Sequence, residues 1–397
     1  MSILFEEKKI GKVLVKNRYV HSATYESMAD IQGKVTDKLI NRYRRLAKGG
    51  VGLIIPGYCF VMENGRSMKY QTGLHNDEMI DGLQKLVDTV HGEGSKLVFQ
   101  LMHSGRQTSK DTIGQTQIAP SKGPMDTIYM AKPREMSEGE IKEIISAFGA
   151  AANRAKISGA DGVQIHAAHG YLVNQFLSPF FNKRNDSWGG SDKNRFKFLK
   201  EVVFEVKKNI SDTMALIVKL NTNDFTPKTG ITIQLAKKYS EWMLDLPIDG
   251  IEVSCGTLSY SMFNMVRGDV PTNELTINFP LWRKIIGKMM LKKMEGKFDL
   301  EDGYNVEAAK TMKPGIGEIP LMVVGGMRSL THMEEVIENG IADFISMCRP
   351  FIKDPNVVDK FKNKEIERVS CVSCNKCFAG VANNLPVACY NKGFPKL

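Results

Sequence analysis

Side chains that could polarise a carbonyl group and deliver a proton cluster in one short segment. His166 and His169 are three residues apart, and Tyr171 follows two residues later. Two neutral imidazoles can donate hydrogen bonds to a carbonyl oxygen, and a phenol can then supply a proton. A His-x-x-His pair alone fits a metal site equally well, but no Asp or Glu lies directly beside it. The pattern therefore favours a polar substrate oxygen over a metal ion.

Other polar or small residues stand at the ends of separate apolar runs. The amide of Gln100 and the ammonium of Lys219 stand near the ends of two of them, Gly325 and Gly326 end another, and Arg349 ends the last. Glycine N–H groups can approach a phosphate closely, and arginine binds it through a planar fork. A tight turn would also explain the glycines. Because Arg349 ends the next run, we favour a phosphate site.

The elements that must position these residues alternate regularly. Short, mostly continuous apolar runs are typical of parallel strands buried on both faces. Eight such runs occur, at 17–24, 51–57, 96–102, 162–168, 215–221, 250–256, 320–326 and 343–349. Helix-like stretches lie between them, at 36–50, 76–94, 137–160, 191–210, 231–244 and 329–340, and Ser137 with Glu140 predicts a capping box.

This alternation predicts an α/β fold, a (β/α)8 TIM barrel with a cysteine-containing C-terminal extension. The alternative is an open doubly wound sheet, but GGVGLI at 49–54 leads into a strand instead of out of one, so the dinucleotide fingerprint is missing. Barrel enzymes build their active sites at the carboxyl ends of the strands. The residues named above stand at such ends.

Two connections are longer than a barrel needs. Residues 103–136 and 257–319 should cover the top of the barrel or form a partner surface. The second contains a basic, Met-rich segment at 282–294. We interpret that segment as a barrel helix with a solvated lysine face.

Composition excludes several classes of protein. The 397 residues are 42% hydrophobic and 25% charged, which is an ordinary globular balance. The net charge of +10 is dispersed over helix-like stretches, so we expect no nucleic-acid partner. No apolar run approaches the length of a membrane span, and the N-terminus becomes charged after five residues. We therefore expect a cytoplasmic protein without a membrane partner.

Four of the seven cysteines crowd into the C-terminal segment. Cys371, Cys374 and Cys377 form C-x2-C-x2-C, and Cys389 follows at a longer interval. This spacing suits one [4Fe–4S] cluster with a later fourth ligand. Structural zinc more often uses two separated C-x2-C pairs. A tail without metal remains an open alternative.

Residues 166–195, HAAHGYLVNQFLSPFFNKRNDSWGGSDKNR, resemble the signature block of the Old Yellow Enzyme family, whose members are FMN-containing (β/α)8 oxidoreductases. The similarity continues at 17–24, 99–107, 323–327 and 347–355. The resemblance thus implies an FMN-binding barrel over residues 1–355. Residues 356–397 would form the tail with the cysteines.

The resemblance implies a role for each strand-end residue near the flavin ring. Ser22, Ala23 and Thr24 would run under the flavin, and Gly57 would let the ring approach closely. The amide of Gln100 would pair with the pyrimidine edge, which both donates and accepts hydrogen bonds.

The same resemblance assigns charge and phosphate contacts. Lys219 would stabilise the anionic reduced flavin, although many members have arginine there. Gly325 and Gly326 with Cys348 and Arg349 would hold the phosphate. Many members have glycine at the position of Cys348.

By the same resemblance, His166 and His169 would bind the substrate oxygen and Tyr171 would donate the proton. The implied enzyme takes hydride from NAD(P)H and reduces an activated C=C bond in an α,β-unsaturated carbonyl or nitro compound. The sequence leaves open the physiological substrate, the choice between NADH and NADPH, and whether the chain forms a homo-oligomer.

The tail is similar to that of larger relatives, the 2,4-dienoyl-CoA reductase and trimethylamine dehydrogenase-like proteins. An alternative is therefore an iron–sulfur flavoprotein that acts as an enoyl-thioester reductase or amine dehydrogenase. Since residues 356–397 leave no room for a second flavin domain, we expect a separate electron partner. A third alternative, suggested by the net charge, is a flavin barrel that reduces tRNA uridine.

Overall fold

The computed structural model describes residues 2–126, 128–130 and 132–396. In that part of the chain, eight parallel strands close into a barrel, each paired with the next and the eighth paired with the first. The strands are β1 Tyr19–His21, β2 Leu53–Ile54, β3 Lys96–Met102, β4 Gly162–Ala167, β5 Ala215–Asn221, β6 Gly250–Ser254, β7 Leu321–Val324 and β8 Phe344–Met347. The predicted (β/α)8 barrel is confirmed.

The helices that surround the barrel follow the strands in order. They are α1 Asp37–Lys48, α2 Ile80–Gly92, α3 Glu138–Ile157, α4 Asp192–Asn209, α5 Ile233–Trp242, α6 Val306–Met312, α7 Leu330–Glu338 and α8 Val357–Lys362. The predicted capping box is present at the start of α3, where Ser137 and Glu140 satisfy each other's backbone N–H groups. No helix within the described ranges is both long and apolar enough to cross a bilayer.

Strand alternation divides the barrel interior into an apolar floor and a polar layer above it. The floor includes Val20, Val98 and Ile217, and a hairpin of Lys8–Ile10 and Val13–Val15 packs beneath it. Inward side chains recur every second residue, so the next inward position of β5 is Lys219. The residues between, such as Val218, pack outward against the helices. The polar layer is therefore held by the same strands that build the core.

The two long connections meet above the barrel. Residues 103–136 contain a short helix, Lys110–Ile113, and a two-stranded sheet of Ile118–Ala119 and Arg134–Glu135. In the second connection the hydroxyl of Ser259 donates to the carboxylate of Asp126, which joins the two. This second connection also carries helices Leu258–Met265, Thr272–Leu275 and Leu281–Lys292.

One prediction about the second connection is wrong. The segment 282–294 forms helix Leu281–Lys292, but the helix that follows β6 in the barrel is α6. Moreover, the apolar side of Leu281–Lys292, not a lysine face, is exposed to solvent. A sequence pattern shows that a helix has two sides, but it does not show which side meets the protein.

The C-terminal segment folds back over the carboxyl ends of the strands. Helices Arg349–Lys353 and Lys376–Ala382 flank the cysteine loop. The N–H of Val387 donates to the carbonyl of Glu26 at 2.7 Å, and Val381 and Val387 pack against Tyr25. The segment thus lies against the loop that follows β1.

Candidate active site

A chain of buried polar side chains crosses the barrel interior above the apolar floor. Gln100 donates to Gln164 at 2.5 Å, and Gln164 donates to Glu252 at 3.0 Å. Lys219 lies 3.3 Å from the same carboxylate and donates to the hydroxyl of Ser22 at 2.7 Å. The parallel register sets Gln100 beside Gln164 and Lys219 beside Glu252. Four strands and the residue directly after β1 therefore contribute to one continuous network.

The carboxylate of Glu252 fixes the polarity of this chain. Oε2 of Glu252 accepts from the amide nitrogen of Gln164, so the amide oxygen of Gln164 points the other way. The oxygen of Gln164 then accepts from Gln100, and the oxygen of Gln100 is left buried without a hydrogen-bond partner in the described part of the chain. A buried acceptor without a partner is costly. An N–H donor such as the one on the pyrimidine edge of a flavin would satisfy it, so the residues present fit FMN.

Two members of this network, Gln164 and Glu252, were not among the residues picked out from the sequence. Only residues at strand ends were considered as site residues, whereas Gln164 and Glu252 lie inside the runs GVQIHAA and GIEVSCG. The available signal was a polar residue in an otherwise apolar strand. Once the strands are paired, their inward positions align with those of Gln100 and Lys219.

The structure brings the three predicted catalytic residues together. The ring centroids of His166 and His169 are 5.1 Å apart, and those of His166 and Tyr171 are 4.9 Å apart. The N–H of Ala168 donates to Nδ1 of His166 at 3.4 Å, which places the ring proton of His166 on Nε2. His169 Nε2 lies 2.7 Å from the hydroxyl of Ser254. One ring nitrogen of each histidine is thus held by the protein.

Burial keeps both imidazoles neutral. It lowers the pKa of His166 well below the usual value, and the neighbouring His169 and Lys219 lower it further. Burial and Lys219 act in the same direction on the pKa of His169. Near neutral pH each ring is therefore an N–H donor without a net charge.

Tyr171 is held in a group of phenols. Its ring centroid is 5.2 Å from that of Tyr58, whose ring in turn stacks on Tyr25. Burial raises the pKa of the Tyr171 hydroxyl, against the opposite effect of hydrogen bonds with Tyr58 and Ser67. The hydroxyl therefore stays protonated at neutral pH and can donate. Tyr58 and Ser67 were not anticipated from the sequence.

The residues after β1 form one wall of the interior. Ser22 is buried, the Thr24 hydroxyl donates back to the carbonyl of Ser22 at 3.1 Å, and Ala23 packs against the apolar floor.

The packing around Gly57 explains why this residue is a glycine. A Cβ there would lie 2.1 Å from the carboxylate of Glu26, which accepts from the Gly57 N–H at 2.6 Å. Contact of Gly57 with a flavin stays a prediction.

Gly325 and Gly326 directly follow β7 and have positive φ angles of 134° and 72°. A Cβ on Gly326 would lie 2.3 Å from the carbonyl oxygen of Glu301. The Cys348 thiol after β8 is 3.6 Å from the carbonyl of Ser22. Glycine at these positions therefore lets neighbouring backbone pack closely, whether or not the two residues also bind a phosphate.

Arg349 links the end of β8 to the cysteine segment. Its Nη1 donates to the carbonyl of Arg267 at 2.6 Å and to the side chain of Asn375 at 2.7 Å. The prediction that Arg349 binds a phosphate thus rests on Nε and Nη2. Arg328, which was not anticipated from the sequence, is buried and donates to the Ser373 hydroxyl at 2.6 Å.

The four tail cysteines line one pocket together with Arg349 and Lys353. All four are free thiols, namely Cys371, Cys374, Cys377 and Cys389. In the described ranges no three His, Cys, Asp or Glu side chains converge closely enough to hold a single metal ion. Four thiols around one pocket beside two cations are a donor set suited to an anionic cluster with several irons. The residues present therefore fit a [4Fe–4S] cluster better than one zinc ion.

The backbone of the cysteine loop is tightly fixed. Ser373 and Asn375 have φ near +58° and +55°, a region that non-glycine residues seldom adopt. The side-chain amide of Asn375 donates to the carbonyls of Val266 and Asp269 at 2.7 and 2.9 Å. The loop is thus anchored to the connection that follows β6.

Comparison with known proteins places the chain in a family. Residues 3–263 match the sequence model of the NADH:flavin oxidoreductase / NADH oxidase family. A "Metal reductase" of Desulforamulus reducens is 33% identical over 98% of this chain and 53% of its own length. An "NADH oxidase" of Thermoanaerobacter brockii is 32% identical over 97% of this chain and 55% of its own length. The chain thus spans about half the length of these curated relatives.

A solved structure supports the same placement. The structure of a 2-naphthoyl-CoA reductase in complex with 2-naphthoyl-CoA is similar with a TM-score of 0.84 and 27% identity. The match covers 98% of this chain and 56% of that one. The similarity extends through the C-terminal segment as well as the barrel.

Proposed function

Because the chain belongs to the NADH:flavin oxidoreductase / NADH oxidase family, for which FMN is the cofactor, we propose that it takes hydride from NAD(P)H and reduces an activated C=C bond. The substrate would be an α,β-unsaturated carbonyl or nitro compound. The observation that carries this proposal is the convergence of His166, His169 and Tyr171 above a buried network with an unmatched acceptor. This arrangement supplies a site for an oxygen and a proton donor beside it.

FMN, when bound, would pass hydride from the nicotinamide to the substrate. Gln100 would accept from the flavin pyrimidine edge, and Lys219 would lie near its carbonyl groups. His166 would donate from Nε2 to the substrate oxygen, since its Nδ1 is occupied by the Ala168 N–H. His169, neutral and oriented by Ser254, would provide the second donor. Tyr171 would deliver its proton to the α-carbon.

The test is anaerobic reduction of the FMN-loaded protein by NADH or NADPH, followed by mixing with 2-cyclohexen-1-one. We expect rapid flavin reoxidation and one equivalent of cyclohexanone. Flavin that is reduced by nicotinamide but reoxidised by the enone no faster than in buffer would contradict this substrate class. The chain would remain a flavin oxidoreductase in that case.

A second candidate function is favoured by the tail. An iron–sulfur flavoprotein that acts on an enoyl thioester or an amine would use Cys371, Cys374, Cys377 and Cys389 to hold a cluster that carries single electrons. The similarity to 2-naphthoyl-CoA reductase supports a thioester substrate. The separate electron partner, the tRNA hypothesis and the cytoplasmic location stay predictions.

Metal analysis of anaerobically purified protein separates the two candidates. A cluster predicts about four irons and matching acid-labile sulfide per chain, both lost in Cys374→Ser while FMN is retained. Cys255→Ser is the matched control, because its thiol does not line the cysteine pocket and contacts the Asn264 carbonyl at 3.5 Å. Wild-type protein with bound flavin but without iron would exclude the cluster and leave the tail structural.

A further inference from the structure

Helix Leu281–Lys292 carries an exposed apolar surface that the proposed reaction does not use. Six large apolar side chains are between 52% and 76% exposed, and no residue of the helix is fully buried. They are Leu281, Trp282, Ile285, Ile286, Met289 and Met290. Isolated exposed apolar residues are ordinary, but a contiguous set of this size marks an interaction site.

These six residues, the apolar ridge, occupy one side of the helix. At about 100° per residue, positions 281 to 290 of the set cover about 180° of the circumference. The opposite side faces the protein, where Arg283 lies over the ring of Phe279 and a Cβ on Gly287 would touch Phe279 at 3.4 Å. The helix is therefore anchored by its polar side and presents its apolar side outward.

Cations border the ridge, and anions are missing from it. Arg283 follows one edge and Lys288 the other, while Lys292 and Lys293 lie exposed at the end. No Asp or Glu occurs from residue 279 to 294. Three of the acidic residues that follow are already paired, since Glu295, Glu301 and Asp302 contact Thr272, Arg267 and Arg368. The apolar ridge is therefore flanked on both edges by positively charged side chains.

We propose that the apolar ridge binds the surface of an anionic lipid bilayer. An apolar half-cylinder with a tryptophan and flanking lysines is the pattern of a helix that lies in the plane of the headgroups. Each flanking Lys or Arg adds attraction to acidic lipids. A convex ridge needs no complementary groove on a bilayer. This peripheral contact differs from a membrane span.

Charge disfavours a second copy of the chain as the occupant. A two-fold pairing of these helices would bring their basic margins close to each other without an acidic residue between them. Arg283 donates to the carbonyl of Ile128 at 3.3 Å, and the same loop carries the exposed residues Met125 and Met130. The bilayer contact would therefore lie beside the loop that carries Asp126 over the barrel.

The test uses the whole chain and unilamellar vesicles of phosphatidylcholine, with or without phosphatidylglycerol. We expect cosedimentation with the anionic vesicles at low salt and little with pure phosphatidylcholine. Trp282→Ser/Met289→Ser should weaken the partition at least ~tenfold, because two exposed apolar side chains are lost. Lys292→Glu/Lys293→Glu should weaken it by a similar factor.

Matched controls lie at the other end of the barrel. Ile157→Ser/Leu244→Ser removes two apolar side chains that are about equally exposed, and Lys9→Glu/Lys12→Glu makes the same charge change on the hairpin. Both should bind like the wild type. The proposal is overturned if the wild type does not bind, if the ridge variants bind as well as it does, or if the control variants lose as much.

Two outcomes would instead identify another occupant. A concentration-dependent dimer that Trp282→Ser/Met289→Ser converts to a monomer, without vesicle binding, would assign the ridge to a second copy. Tight binding of an acidic protein such as a ferredoxin through the ridge, without vesicle binding, would assign it to that class. Either result overturns the bilayer contact and leaves the flavin chemistry untouched.

Discussion

Lys219 and Glu252 form a buried ion pair at the centre of the barrel, with Nζ 3.3 Å from Oε2. The two residues are neighbours across β5 and β6, and both side chains are almost completely shielded from solvent. Glu252 therefore offsets part of the positive charge that would stabilise a reduced, anionic flavin. A buried pair of this kind tunes a site more readily than it adds stability.

Glu252→Gln should raise the two-electron reduction potential of bound FMN. The change keeps the shape of the side chain but leaves Lys219 without its counter-charge. The anionic reduced flavin is then stabilised by ~1.4 kcal/mol, which raises the reduction potential by on the order of 30 mV. The potential is measured by equilibrating the protein with a reference dye during slow reduction. Lys219→Met should shift the potential in the opposite direction. An unchanged or lowered potential in Glu252→Gln would show that Glu252 does not offset the charge of Lys219.

Tyr171→Phe should slow flavin reoxidation by an enone about 10²-fold or more while sparing reduction by NADH. The reason is that the phenol is needed only for protonation of the α-carbon. Stopped-flow measurement of the two half-reactions gives each rate separately. Tyr58→Phe removes the neighbouring phenol hydroxyl and is the control. It should slow flavin reoxidation less than Tyr171→Phe does. Equal loss in both half-reactions of Tyr171→Phe would exclude a proton-donor role.

His103→Gln should flatten the dependence of stability on pH in acid. Burial lowers the pKa of His103 to about 3 in the folded chain, against about 6.5 when unfolded. The unfolded chain therefore binds the extra proton between these values, so stability is full above pH 6.5 and falls as the pH drops toward 3. The loss from this group is up to roughly 1.4 kcal/mol per pH unit.

Urea unfolding at pH 7 and at pH 5 measures this difference. His103 is held by Asn64 at 3.1 Å and by the Gly105 N–H at 3.0 Å, and a glutamine retains polar atoms for both. An acid slope in His103→Gln as steep as in the wild type would show that other groups dominate. His21, whose pKa burial also lowers to about 3, would be the next to replace.

Gly326→Ala should destabilise the fold far more than Gly340→Ala. Both glycines have positive φ, at 72° and 66°, so alanine strains either position by about 1 kcal/mol. At Gly326 the new Cβ would also meet backbone atoms of Glu301 and Gly303 at 2.3 and 2.6 Å, whereas no atom of the described residues lies within 4 Å at Gly340. We expect a further loss of about 2 kcal/mol for Gly326→Ala, measured by chemical denaturation. Equal losses would show that the loop relaxes.

Much of the barrel was predictable because its signals are local. Six helix-like stretches coincide with α1 to α5 and α7 to within a few residues, since capping residues such as Thr36 and Ser137 act on their own helix. The shorter α6 and α8 were missed. The long connection before α6 hides the alternation of strands and helices, and α8 lies in the segment that was assigned to the tail. The strand ends were also predictable, and they led directly to His166, Tyr171 and Lys219.

By itself the sequence determined the order of elements, the apolar strands and the residues at their ends. Only the tertiary structure decided that Gln164 and Glu252 join Gln100 and Lys219, because the register between strands distant in sequence arises when the barrel closes. It also decided that helix Leu281–Lys292 turns its apolar side outward. Periodicity divides a helix into two sides, but the packing of the remaining chain chooses which of them is buried.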